Sequence, residues 1–108
     1  MRFKSNHRWK TTTDKLKYIT WRKVVFQLNK GRHGASKHYV CLKCNKKRKT
    51  TRTMHAHHHY SWHQFPEKRY DKHNGVVLCV KCHKKFHNKY KYDAIKDPKY
   101  LTEYLTKG

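Results

Sequence analysis

Two sets of side chains in this chain have the types and spacing for metal chemistry. Cys41, Cys44, Cys79 and Cys82 form two CxxC pairs on either side of residues 45–78. Thiolates three positions apart reach one ion from a tight turn, and two such turns complete a closed, tetrahedral, structural zinc site. The other reading of four cysteines, two disulfides in a secreted mini-protein, needs a secretory route. The chain opens with Arg2, Lys4 and Arg8 and shows no apolar stretch of signal-peptide type. Reduced thiolates and a cytoplasmic location are therefore expected. The second set lies among 11 histidines. His83 and His87, four apart, share one face of a helix and can hold a divalent metal. A third imidazole from a neighbouring strand would leave positions open for water and substrate, as a catalytic metal requires. His57 and His58 close a strand-like run and stand ready for that part. A helical histidine pair by itself is more often solvated or packed; its combination with the strand histidines carries the weight.

These groups must be positioned by a small fold. At 108 residues and 35% hydrophobic content the chain forms one small domain whose core alone gives little stability, so a zinc staple suits it. From Thr13 and Asp14, which can cap a helix, Tyr18, Trp21, Val25 and Leu28 recur at helical spacing and predict a helix over 14–29. The glycines of NKGRHGAS, residues 29–36, then end it in an exposed basic loop. HYVCLKC (38–44) reads as a short strand entering a zinc knuckle, NKKRKTTRT (45–53) as a basic turn and MHAHH (54–58) as a second strand, together a hairpin. Residues 60–74, with Pro66 and no periodicity, predict a long loop of the kind that carries function. GVVL (75–78) reads as a strand, followed by a helix over 80–89. Asp97 caps a terminal helix with Pro98 at its first turn and Tyr100, Leu101, Tyr104 and Leu105 on its apolar face. The expected organisation is a basic arm over 1–12, a core domain over 13–93 and a C-terminal helix over 94–108.

Charge points to the partner. Lys and Arg number 28 against 6 Asp and Glu, a formal net charge of +22. Solubility needs far less, whereas a polyanion neutralises it with release of counterions. No apolar run is long enough to span a membrane, and no long amphipathic segment suits a membrane surface. Lys46, Lys47, Arg48, Lys49 and Arg52 in the basic turn are candidate phosphate contacts. Arg69 either pairs with Asp71 to hold the loop or reaches a phosphate. His55, His59, His63 and His73 are candidates for phosphate contact, but most are expected to be solvated or packed, and Trp62, Tyr70 and Phe86 are expected to belong to the core.

The string AHHHYSWHQFPEKRYDKHNGVVLCVKCHKKFH, residues 56–87, resembles HNH endonucleases of phage and bacterial type, whose pattern runs AHHI-x-x-W, YPE-x-R-x-D, NG-x-x-LC and CH-x-x-x-H. Trp62, Pro66, Glu67, Arg69 and Asp71 fall in register with it. WRKVVFQ resembles the helix that precedes the first CxxC in that family, so the likeness spans about residues 14–90. The resemblance implies a small α+β fold: the ββα-metal (HNH, or His-Me finger) unit stapled by the four-cysteine zinc site, with flanking N- and C-terminal helices. It implies His57 and His83 as ligands of a catalytic divalent metal with His87 as a third, His58 as general base, and Asn74 as the group that fixes the base through backbone bonds. Many members carry Asp where His57 stands. An imidazole-rich set favours Mn2+, Ni2+, Co2+ or Zn2+, while Mg2+ prefers oxygen. His59 replaces the family's apolar residue, so the three histidines leave the register open by one, and Ala56 selects His57 and His58.

The function so implied is hydrolysis of DNA phosphodiester bonds, most simply in duplex DNA, to 5′-phosphate and 3′-hydroxyl ends in a phage or mobile-element setting, hence a bacterial cytoplasm. A single site cuts one strand; cutting both requires a homodimer, a partner protein or two events. The competing class is a non-catalytic zinc-ribbon protein that binds nucleic acid. Both classes need the basic residues, and only the first needs the histidines.

Overall fold

In a computed structural model, residues 12–32, 38–62, 64–91 and 93–106 are described. Most of the expected arm (1–12), part of the expected loop (33–36) and His63 lie outside them. The elements run α1 (Thr12–Arg32), β1 (Tyr39–Val40), β2 (Lys47–Arg48), β3 (Met54–His58), β4 (Gly75–Cys79), α2 (Val80–Tyr90), α3 (Asp93–Lys96) and α4 (Lys99–Thr106), with 3₁₀ turns at Pro66–Lys68 and Lys72–Asn74 between β3 and β4. Among the described residues no helix is long and apolar enough to cross a membrane.

The central unit is the antiparallel pair β3–β4, in register Met54↔Cys79, His55↔Leu78, Ala56↔Val77, His57↔Val76 and His58↔Gly75. Side chains alternate across a strand. Met54, Ala56 and His58 therefore share one face and His55 and His57 the other. Trp21 of α1 covers the first face by stacking on His58; His83, Phe86 and His87 of α2 meet the second. Trp21, Val25, Phe26, Met54, Val77, Leu78, Phe86, Leu101 and Tyr104 form one buried core with three of the four cysteines. Trp62 and Phe86 are buried and Tyr70 packs against that core, as expected of them.

The expected hairpin of residues 38–44 with 54–58 is not formed. β1 pairs instead with β2, Tyr39↔Arg48 and Val40↔Lys47, while β3 takes β4 as its partner. Tight closure of the first CxxC explains the change: Asn45 N–H donates to Cys41 O and Cys41 N–H to Lys46 O, both at 2.9 Å. The chain turns back at Asn45, which adopts the left-handed backbone (φ 64°) that Asn tolerates. Lys47 and Arg48 of the basic stretch after it form a short strand, and residues 49–53 turn towards β3.

Helix α1 also runs past the expected stop at 29 to Arg32, through Gly31. Asn29, buried in its last turns, donates from Nδ2 to Val40 O (2.9 Å) and accepts Val40 N–H at Oδ1 (2.8 Å). That two-bond clasp on β1 holds the helix end against the weak helix preference of glycine. Further along, Gly75 has an ordinary φ of −119° but no room for a side chain: a Cβ would lie 2.3 and 2.8 Å from the Val25 methyls and 3.1 Å from Trp21. The close seat of α1 on β4 requires glycine there. At the C-terminus, Lys99 N–H donates to Asp97 Oδ1 (2.9 Å), the expected cap, and Leu101 and Tyr104 are buried.

Candidate active site and metal centre

The first CxxC sits in the β1–β2 knuckle and the second at the junction of β4 and α2. Leu42 N–H donates to Val77 O at 2.8 Å, which lays the knuckle along β4 and brings the four cysteines together. Their Sγ atoms lie within 4.8 Å of one another, and Cys44 and Cys79 are 3.8 Å apart. Two thiolates bound at about 2.3 Å to one tetrahedral ion would be separated by about 3.8 Å. Each pair is braced alike: Cys44 N–H donates to Cys41 Sγ and Cys82 N–H to Cys79 Sγ, both at 3.5 Å. Burial raises the Cys79 thiol, but the Cys82 N–H and the neighbouring thiols outweigh it and bring it down to about 7. Cys79 also caps the N-terminus of α2, where the helix dipole favours negative charge. Burial raises Cys41 and Cys82. Four gathered thiols with charge-stabilising N–H donors, all free of disulfides, fit a metal ion held in a closed shell.

The second cluster joins strand to helix. His57 on β3 meets His83 and His87 on α2, and one ligand atom from each lies within 4.8 Å of the others. Nε2 of His57 is 3.2 Å from Nε2 of His87, which is 3.1 Å from Nε2 of His83. Two imidazoles at about 2.0–2.1 Å from one tetrahedral ion would sit roughly 3.3–3.4 Å apart, a little wider than these separations. Burial first, then the charges His83, His87 and His58 would carry, holds His57 well below the ordinary histidine value. Burial, with His87 and His55, pushes His83 down to about 3, and burial alone brings His87 to about 4. The three rings are thus neutral near pH 7 and offer lone pairs rather than charge. Although His57 is half-buried as a residue, its Nδ1 is buried without a hydrogen-bond partner. The donor set fits one divalent ion, and among the described residues no carboxylate joins it.

His58 faces away from that cluster, towards α1. Its ring stacks on Trp21 at 3.8 Å between centroids and 7° between planes, with the Trp62 edge at 5.8 Å. Its Nε2 lies 2.9 Å from Arg69 O. A carbonyl only accepts, so Nε2 carries the proton, and in the neutral ring Nδ1 carries the lone pair. Asn74, buried, ties the loop that presents Arg69: Oδ1 accepts Tyr60 N–H (2.7 Å), while Nδ2 donates to Tyr60 O and Lys68 O (3.0 Å each). His59 N–H donates to Asn74 O at 3.0 Å, and the His59 ring bonds Thr102 of α4 at 3.2 Å.

Of the two expectations for Arg69, the pair with Asp71 is not formed. Arg69 Nε donates to Trp62 O (2.6 Å) with the guanidinium over the Trp62 ring, while Asp71 accepts His73 N–H in the turn before Asn74. Lys47, Arg48, Lys49 and Arg52 are exposed and Lys46 is half-buried, all on or beside β2. Sequence reasoning misses two residues. Trp21 reads as core only, yet it is the surface on which His58 lies. His55 reads as solvated or packed, yet its Nδ1 is 2.6 Å from Nδ1 of His83. The signal for His55 is its place two residues before His57, on the same strand face.

Comparison with known proteins agrees with the geometry over part of the chain. Residues 40–89 match the family model of HNH endonuclease. The match takes in both CxxC pairs, the β3–β4 hairpin and most of α2, and leaves α1 and α4 outside. Searches of curated proteins and of solved structures found no match.

Proposed function

We propose that this chain is a metal-dependent HNH endonuclease that hydrolyses phosphodiester bonds in DNA. The observation that supports the reading is the opposite facing of two adjacent strand residues. His57 turns towards His83 and His87 to make a three-imidazole cluster, and His58 turns the other way, fixed in the tautomer whose lone pair is on Nδ1.

In this reading His57, His83 and His87 hold the catalytic cation, and Cys41, Cys44, Cys79 and Cys82 hold a structural Zn2+. The catalytic cation, when bound, supplies positive charge for a phosphate oxygen and the leaving 3′ oxygen. Nδ1 of His58 takes the proton of the attacking water, whose oxygen bonds to phosphorus as the P–O3′ bond breaks. A 5′-phosphate and, after proton uptake from solvent, a 3′-hydroxyl result. Trp21 and the Arg69 carbonyl hold the base's ring, and Asn74 holds the loop that presents that carbonyl. Duplex DNA is gripped by Lys46, Lys47, Arg48, Lys49 and Arg52, whose phosphate contacts position without reading sequence. The all-imidazole donor set favours Mn2+, Ni2+ or Zn2+ over Mg2+. The phage or mobile-element setting, and with it the bacterial cytoplasm, is carried over from the sequence resemblance.

The test is conversion of supercoiled plasmid with Mn2+, Mg2+ or Ni2+ added. Wild type is expected to nick or linearise it, and His58→Ala to bind DNA without cutting. Salt-sensitive binding with no cleavage in any metal would overturn the nuclease reading in favour of a non-catalytic zinc ribbon.

A further inference from the structure

His55 has no part in the function described so far. It lies on the α2 side of β3, two residues before His57, and its ring stands edge-on to that of His83, with centroids 4.8 Å apart at 88°. The closest approach is nitrogen to nitrogen, Nδ1 to Nδ1, at 2.6 Å. Two lone pairs cannot face each other at that distance, so one nitrogen carries a proton and the other accepts it. His83 points its other nitrogen, Nε2, at Nε2 of His87. If Nε2 of His83 is to give its lone pair to a cation, its proton must be on Nδ1, and only an acceptor at Nδ1 of His55 is compatible.

We propose that His55 is a positioning residue for the cation site: its Nδ1 accepts the Nδ1–H of His83, fixes that ring's tautomer and orientation, and so sets the affinity of the site. The inference rests on the proposed cation site of His57, His83 and His87. Metal-bound imidazoles commonly donate their second N–H to a carboxylate, carbonyl or water, and losing such a partner typically costs 10–100-fold in metal affinity. Here the acceptor is a neutral imidazole, which orients the ligand without adding negative charge.

The protein with its four cysteines already loaded with zinc is titrated with Co2+, read by visible absorption, in wild type, His55→Leu, His55→Glu and His83→Ala. His55→Leu is expected to weaken Co2+ binding by about 10–100-fold while the thiolate-bound zinc and the melting midpoint stay unchanged. His55→Glu, which restores an acceptor, should recover wild-type affinity or exceed it. Wild-type affinity in His55→Leu would overturn the proposal and leave the cation site standing. No second ion in wild type, the same as in His83→Ala, would overturn the cation site itself and the proposal with it. Should His55→Leu fail to fold, nitrogen-15 NMR of wild type saturated with Zn2+ decides: a proton on Nε2 of His55 supports the proposal, and one on Nδ1 overturns it.

Discussion

The thiol cluster and the histidine cluster are built from opposite kinds of structure. Each cysteine pair is local: three positions of chain, one turn, one N–H to sulfur bond, made twice. The histidine cluster is distant. His57 stands on a strand and His83 and His87 on a helix that starts after the facing strand ends, so the β3–β4 register and the seat of α2 must both be right before three nitrogens meet. Three of the four cysteines lie in the buried core. The histidine rings meet along one side of β3, with His58 behind them on the other. On the reading proposed above, this difference separates fold from chemistry: the thiols close the domain and the imidazoles serve the reaction.

The largest effect should therefore come from the thiol side. Cys79→Ser leaves a side chain that can still cap α2 but removes a buried thiol of the cluster, whose charge the Cys82 N–H stabilises. The variant is expected to lose the bound structural zinc and its cooperative melting transition; elemental analysis and circular dichroism check both. Mild chelation of wild type should leave that one zinc in place. An unchanged melting curve in a zinc-free variant would break the separation at its base.

On the histidine side the effect should fall on rate and leave the fold alone. His58→Ala is expected to lower cleavage by about 10²–10⁴, the usual share of acid–base catalysis, with structural zinc and DNA affinity retained. His83→Ala should be partly rescued by raising Mn2+, because on the proposed reading it removes a ligand rather than the base. His59→Ala should do little, since its ring is engaged with Thr102 on α4. An inactive His59→Ala that metal cannot rescue, beside an active His58→Ala, would move the base by one residue.

Local features are the legible ones. The CxxC spacing, the i, i+4 histidines, the Asp97 cap and the apolar faces of α1 and α4 are each written within a few residues, and all four take the shape their spacing implies. Pairing is less legible. Sequence alone shows the long loop over 60–74 and the strand after it, yet pairs MHAHH with the strand before it, because nothing local says that the chain returns across that loop to its true partner. What closes that loop is Asn74, a single side chain bonded to Tyr60 and Lys68. Trp21 and His55 escape a reading of the sequence for one reason: a buried aromatic and a strand histidine look the same there whether they fill space or orient a neighbour.

Gly75 joins the two halves and gives a smaller, graded effect. Gly75→Ala forces a methyl against Val25 and Trp21, and so pushes on the helix that backs His58. A loss of about 1–3 kcal/mol is expected from overpacking, measured by urea denaturation, with cleavage reduced in step. Adding Val25→Ala should recover part of both. Stability lost without any change in cleavage would show that the seat of α1 matters to the fold alone.

The smallest expected effect belongs to β2, where the thiol knuckle turns its basic strand outward. Lys47 and Arg48 are both exposed, and Arg48 bonds back to Lys47 O. If they grip phosphates, replacing both with Ala frees up to two phosphates to keep their counterions. The slope of log affinity against log salt should become shallower by about 1 for each phosphate so freed. The weakening should be alike on unrelated DNA sequences, since a grip on the backbone does not read bases. Melting and cleavage at saturating DNA should not move, because the imidazole cluster and His58 are untouched. An unchanged slope would place the grip on another basic surface. A fall in cleavage at saturation would mean that the knuckle also aligns the scissile phosphate, so that chemistry and grip are joined across the two regions.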